Sequence, residues 1–129
     1  MAVLIDTSVF VAVEDGRLRL ADLVEPEARY ALSVVTAAEL LHGVHRDNGV
    51  TAQQRAAFVE GLLASFGVIP VDLTVGRAYA RASAELAALG RPVDGNDLWV
   101  AATAIAHGFE ILALDGDFED IPGLRRVSV

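Results

Sequence analysis

The chain has 129 residues, 53% of them hydrophobic, a length that suits one domain over residues 1–129 able to bury roughly two-thirds of its unfolded surface. It contains no cysteine, which excludes disulfides, thiolate metal sites and cysteine nucleophiles and leaves oxygen or imidazole to hold any metal. The formal charge of -8 argues against a surface that coats polyanions, since non-specific nucleic-acid affinity comes from basic side chains neutralising phosphates.

In chain order, short apolar runs predict strands at about 2–6, 30–35, 67–71 and 110–114, with a weaker one at 125–128. Runs of this kind suit strands covered on both faces. Between them, apolar spacing predicts helices at about 8–14, 17–25, 36–46, 51–65, 74–89 and 96–107. Strands alternating with helices argue for an α/β domain with a mainly parallel sheet of four to five strands. Gly43, Gly49, Gly67, Gly90 and Gly108 fall at or near the proposed helix ends, where a left-handed cap favours glycine, although Gly43 comes early in its segment. The longest apolar stretch, Leu98 to Ala106 with Thr103 included, is shorter than the roughly 18 residues a membrane span requires. The N-terminus lacks a positive region and meets Asp6 before a signal-length apolar core forms, so the expected location is cytoplasmic, with no membrane partner.

Four acids stand out by placement. Asp6 closes Val3-Leu4-Ile5 and Asp115 closes Ile111-Leu112-Ala113-Leu114, while Glu39 and Asp97 open helical patterns. In an open parallel sheet, all four would meet in the crevice outside the carboxyl ends of the strands, where such sheets bind ligands. Each also has an ordinary structural role to weigh against this. Glu39 completes a Thr36-x-x-Glu39 capping box. Asp97 complements the positive end of a helix dipole, with Asp94 or Asn96 as cap. Asp115-Gly116 is a turn signal, and Asp6, followed by Thr7 and Ser8, can cap the next helix.

Their coincidence favours a functional reading. Like charges about 4 Å apart cost on the order of 4 kcal/mol per pair at an effective dielectric near 20, so such a cluster calls for a cation or raised pKa values. Carboxylates with a nearby hydroxyl suit a hard cation, Mg²⁺ or Mn²⁺, and phosphate chemistry is its natural use. All ten basic residues are Arg, which matches two-pronged phosphate contacts, although a bias toward Arg explains the count equally well. His42 and His45, at i, i+3 on the Glu39 helix, and His107 at a helix end are left out of the site.

The segments Val3-Leu4-Ile5-Asp6-Thr7-Ser8, Ser33-Val34-Val35-Thr36-Ala37-Ala38-Glu39-Leu40, Asn96-Asp97-Leu98-Trp99-Val100-Ala101-Ala102-Thr103-Ala104 and Asp115-Gly116-Asp117-Phe118, with Ile121-Pro122-Gly123-Leu124, together resemble a PIN domain. More narrowly, the pattern is similar to the VapC toxins of bacterial VapBC toxin-antitoxin modules, across nearly the whole chain. The resemblance implies an α/β/α sandwich and an Mg²⁺- or Mn²⁺-dependent endoribonuclease that cleaves structured RNA of the tRNA or rRNA class. It also implies a homodimer and a VapB-type antitoxin partner. On that resemblance Asp6, Glu39, Asp97 and Asp115 form the catalytic and metal-binding quartet, Asp117 is an additional metal-binding acid, and Ser8 is a substrate-side or supporting hydroxyl. Family members often carry Thr two residues before the fourth acid, where this chain has Ala113; Asp117 is the candidate to compensate.

A receiver-like phosphorylation domain would require Lys, which this chain lacks, and a haloacid-dehalogenase-type phosphatase would require Asp at position 8, where the chain has Ser8. The remaining alternative is a non-catalytic PIN-like interaction module whose acids serve only caps and turns.

Overall fold

The computed structural model describes residues 1–93, 95–114 and 116–127. Among these, five short strands, β1 (Ala2–Ile5), β2 (Arg29–Ser33), β3 (Gly67–Ile69), β4 (Glu110–Leu112) and β5 (Arg125–Arg126), form one sheet in the order β3-β2-β1-β4-β5. Every pairing is parallel, with Leu4 opposite both Ala31 and Ile111. The central strand is β1, and chain order reverses direction between β1 and β4. That boundary is the topological switch point at which open α/β sheets form a crevice.

Five helices cover the two faces: α1 (Thr7–Glu14), α2 (Val34–Arg46), α3 (Gly49–Ser65), α4 (Leu73–Ala88) and α5 (Gly95–His107). Strand alternation assigns them. Val3 and Ile5 point to one face, where they pack with Val9 and Phe10 of α1, Ala37 and Leu40 of α2, and Val59 and Leu62 of α3. Leu4 points to the other, packing with Ala82 and Leu86 of α4 and with Leu98, Val100, Ala101 and Ala104 of α5. The result is the expected α/β/α sandwich with a parallel sheet.

Two expectations are corrected. The helix proposed at 17–25 is a single 3₁₀ turn, Leu20–Asp22. Leu20 and Leu23, three residues apart, both pack on the core, a spacing that a 3₁₀ turn satisfies as well as an α-helix. Pro26 follows closely and discourages a longer helix, since the residue before a proline avoids the α region. Gly43, proposed near a helix end, lies inside α2, where a Cβ would sit 3.5 Å from Cδ of Arg55.

That Arg55 ties three helices together. Its Nε reaches both carboxylate oxygens of Glu14, at 3.0 and 3.1 Å, and its Nη1 pairs with Asp47 beyond the end of α2. The Glu14 hydrogen bond holds the guanidinium even more firmly in its charged form than usual.

Phe10 is fully buried and its ring packs 5.9 Å from that of Phe66. Truncation to Ala removes this contact and opens a cavity, so Phe10→Ala lowers stability by about 3–5 kcal/mol, measured by urea unfolding.

Candidate active site

Asp6 follows the last residue of β1, and its backbone N–H continues the ladder by donating to the Leu112 carbonyl at 2.9 Å. Its side chain is the N-cap of α1, as the capping reading expected: Oδ2 accepts from the Ser8 N–H at 3.0 Å and from the Ser8 hydroxyl at 2.7 Å. Only 3% of Asp6 is exposed. A carboxylate buried so deeply persists because charge-assisted hydrogen bonds and the positive helix end offset lost hydration. Both bonds fall on Oδ2, and no donor among the described residues reaches Oδ1.

Ser8 does a second job. Its Oγ accepts the Leu114 N–H at 3.1 Å while donating to Asp6, so one hydroxyl fixes the end of β1 to the segment after β4.

Glu39 does not cap its helix. Helix α2 starts at Val34, with Ser33 as its N-cap accepting from the Val35 N–H at 3.1 Å. Glu39 therefore lies in the second turn, beyond reach of the helix start. Its Oε1 instead accepts the Thr7 hydroxyl at 2.7 Å. The Thr36 hydroxyl, proposed as the cap, is fully buried and finds no hydrogen-bond partner among the described residues. The capping-box reading is overturned, and Glu39 is released toward the crevice.

Asp97 occupies the first turn of α5, as expected. Asn96 lies inside that helix and so is not its cap, and Asp94 falls outside the described residues.

These three acids line one cleft of about 470 Å³, together with Thr7, Ser8, Val11, Arg17 and Leu114. Asp97 also borders a neighbouring groove of about 300 Å³, which holds Asp117 and Glu119. Asp117 thus shares a wall with Asp97 but does not line the cleft of Asp6 and Glu39. Asp115 lies outside the described residues, directly after Leu114, which borders the cleft. His42 and His45 are exposed on α2, and His107 is the exposed last residue of α5.

The donors on offer are hard oxygens, the chemistry that fits Mg²⁺ or Mn²⁺. Asp6 supplies the clearest candidate ligand atom in its Oδ1. Among the described residues, no three Asp, Glu or His side chains are already drawn together tightly enough to hold a metal ion. Electrostatics favours that looser spread for carboxylates that no cation neutralises.

A family model described as PIN domain matches residues 3–124. The chain is 39% identical to ribonuclease VapC5 of Mycobacterium tuberculosis over 126 residues, covering 97% of this chain and 91% of that one. The chain belongs to the PIN-domain family. Ribonuclease VapC4 of the same organism is 35% identical to this PIN domain, with 98% and 95% covered. A solved VapBC-5 complex from M. tuberculosis superposes with a TM-score of 0.81 at 32% identity, covering 99% of this chain and 98% of the other. The fold is also that of VapBC2 from Rickettsia felis bound to a promoter DNA fragment, at a TM-score of 0.88 and 22% identity, with 98% of each chain covered.

The site's rigidity depends on its two hydroxyls. Ser8→Ala removes the partner of the Leu114 N–H and one of the two hydrogen bonds to Asp6 Oδ2, keeping that from the residue-8 N–H, so stability falls by about 1–3 kcal/mol, read from urea unfolding against the parent chain.

Proposed function

We propose that this PIN domain is a VapC-type endoribonuclease, the toxin of a toxin-antitoxin module, that hydrolyses RNA with Mg²⁺ or Mn²⁺ held by Asp6, Glu39, Asp97 and Asp115. The observation that carries this reading is the meeting of Asp6, Glu39 and Asp97 in one cleft at the switch point between β1 and β4. Relatives named as ribonucleases along almost the whole chain support it.

When bound, a divalent cation supplies Lewis-acid polarisation of a phosphodiester and a water of lowered pKa. The chain's own groups provide the rest. Ser8 holds Asp6 with Oδ2 engaged, so that Oδ1 is presented in a fixed direction. Thr7 orients Glu39 from the facing helix. The first turn of α5, anchored by the buried Leu98, brings Asp97 to the cleft. No side-chain nucleophile is needed, in keeping with a chain that has no cysteine and keeps its histidines outside the cleft. Asp117, in the groove that shares Asp97, is proposed as a supporting acid that would hold the cation directly or through water.

Structured RNA, of the tRNA or rRNA class, is the proposed substrate, because an acidic chain gains little from uniform phosphate coating and single-stranded loops offer bases that can be splayed and read. Solved neighbours are VapBC complexes, which supports a small VapB-type antitoxin as partner. Among the described residues no helix is long and apolar enough to cross a membrane. A homodimer acting in the cytoplasm completes the proposal.

Purified protein freed of any partner, incubated with total cellular RNA, gives discrete products with Mg²⁺ or Mn²⁺ and none with EDTA. Asp6→Asn and Asp97→Asn each lower the cleavage rate by about a hundredfold or more, measured by gel densitometry. Intact RNA under every condition, with folded protein, would favour the non-catalytic module instead.

A further inference from the structure

An acidic cleft that takes an RNA strand must also hold the strand's phosphates. Three of its walls repel them. Among the described residues lining it, Arg17 is the one cation. Arg55 is held by Glu14 and Asp47, while Arg91 and Arg126 make surface pairs with Asp120 and Glu119 and do not line this cleft. Arg77 and Arg81, one helical turn apart, line a different groove against Ile105 and Pro122.

The backbone fixes where Arg17 stands. Helix α1 ends in a Schellman motif: the Arg17 N–H donates to the Ala12 carbonyl at 2.9 Å and the Gly16 N–H to the Val13 carbonyl at 3.1 Å. Gly16 has the left-handed φ of 76° that this closure requires. The helix that starts at the Asp6 cap thus delivers an arginine back to the same cleft. By contrast, the guanidinium is loosely held. Among the described residues it meets only Asp15, at 3.4 Å, with the two side chains 61% and 52% exposed, and an exposed pair of this kind contributes little and exchanges readily.

Resting on the ribonuclease reading above, we propose that Arg17 is the residue that binds the RNA backbone at this cleft, leaving Asp15 to clamp a phosphate beside the scissile one. A pinned Cα with a free-swinging planar fork suits that task, since Arg engages phosphate through two parallel hydrogen bonds. It is a substrate-binding residue and takes no proton in the reaction.

The test uses the full chain with Arg17→Ala, Arg17→Lys and, as control, Arg19→Ala, whose side chain is exposed and does not line the cleft. Steady-state cleavage of an RNA cut by the parent chain is measured in Mg²⁺, and binding of the same RNA is measured in EDTA over a range of salt. Arg17→Ala raises KM about tenfold with kcat within about twofold, and flattens the slope of log affinity against log salt by about 0.7, one single-strand phosphate contact. Arg17→Lys restores the slope but only part of KM, because it keeps the charge and loses the fork. Arg19→Ala matches the parent.

Unchanged KM and salt slope in Arg17→Ala, while the parent and Arg19→Ala still cut RNA, overturns the Arg17 assignment alone. So does tighter Mn²⁺ binding with KM unchanged, which would make Arg17 a mere counter-charge to the acids. If the parent itself cuts no RNA in either metal, the ribonuclease reading fails and the Arg17 assignment fails with it.

Discussion

Everything in this site hangs on one buried carboxylate at the end of the central strand. Asp6 has almost no contact with solvent, so its charge must be met by the protein or by a bound cation. Two hydrogen bonds from Ser8 and the start of α1 meet one oxygen. They also dictate the local architecture: α1 must begin at Thr7, and the chain after β4 must approach closely enough for Leu114 to donate to the same hydroxyl. The other oxygen takes no hydrogen bond from the described residues, and the residue lines the cleft.

The remaining acids are brought in by different elements on different faces of the sheet. Glu39 arrives on α2, from the layer that packs on Val3 and Ile5, and Asp97 on α5, from the layer that packs on Leu4. The site therefore bridges both helical layers of the sandwich, and its geometry depends on the packing of each. Repulsion among the acids works against closure; hydroxyl hydrogen bonds from Thr7 and Ser8 hold two of them in place. The Arg55 clamp adds a third restraint, binding α1 and α2 to α3 behind Glu39. Stability and site geometry are accordingly coupled through α1 and α2.

Much of this was legible in the sequence because the parallel sheet writes itself as short apolar runs ending in acids. Val3-Leu4-Ile5-Asp6 is strand and site in four residues. What misled was local chemistry with two valid solutions. Ser33 and Thr36 are both hydroxyl residues near a helix start, and the Thr-x-x-Glu spacing favoured Thr36; the helix instead begins where β2 ends, so Ser33 caps it and the Thr36 hydroxyl is buried. Only the tertiary contact with Thr7, 32 residues away, explains Glu39, and no local pattern encodes that pairing. The segment after α1 shows the same limit: two leucines three apart fit either a helix or one 3₁₀ turn, and the return path to β2 decides. Arg17 was one of ten equivalent arginines until the Schellman turn brought it to the acids.

The proposed activity requires these carboxylates to act as one cation site rather than as a set of caps and turns. Calorimetric titration of Mn²⁺ into the metal-free chain, repeated with excess Mg²⁺ and with Asp6→Asn, tests it most directly. A shared cation site gives saturable binding of Mn²⁺ that Mg²⁺ competes away and that Asp6→Asn abolishes or weakens at least tenfold, roughly the loss expected when a ligand set is disturbed. Non-saturating heats that are the same in the parent and in a folded Asp6→Asn variant would contradict it.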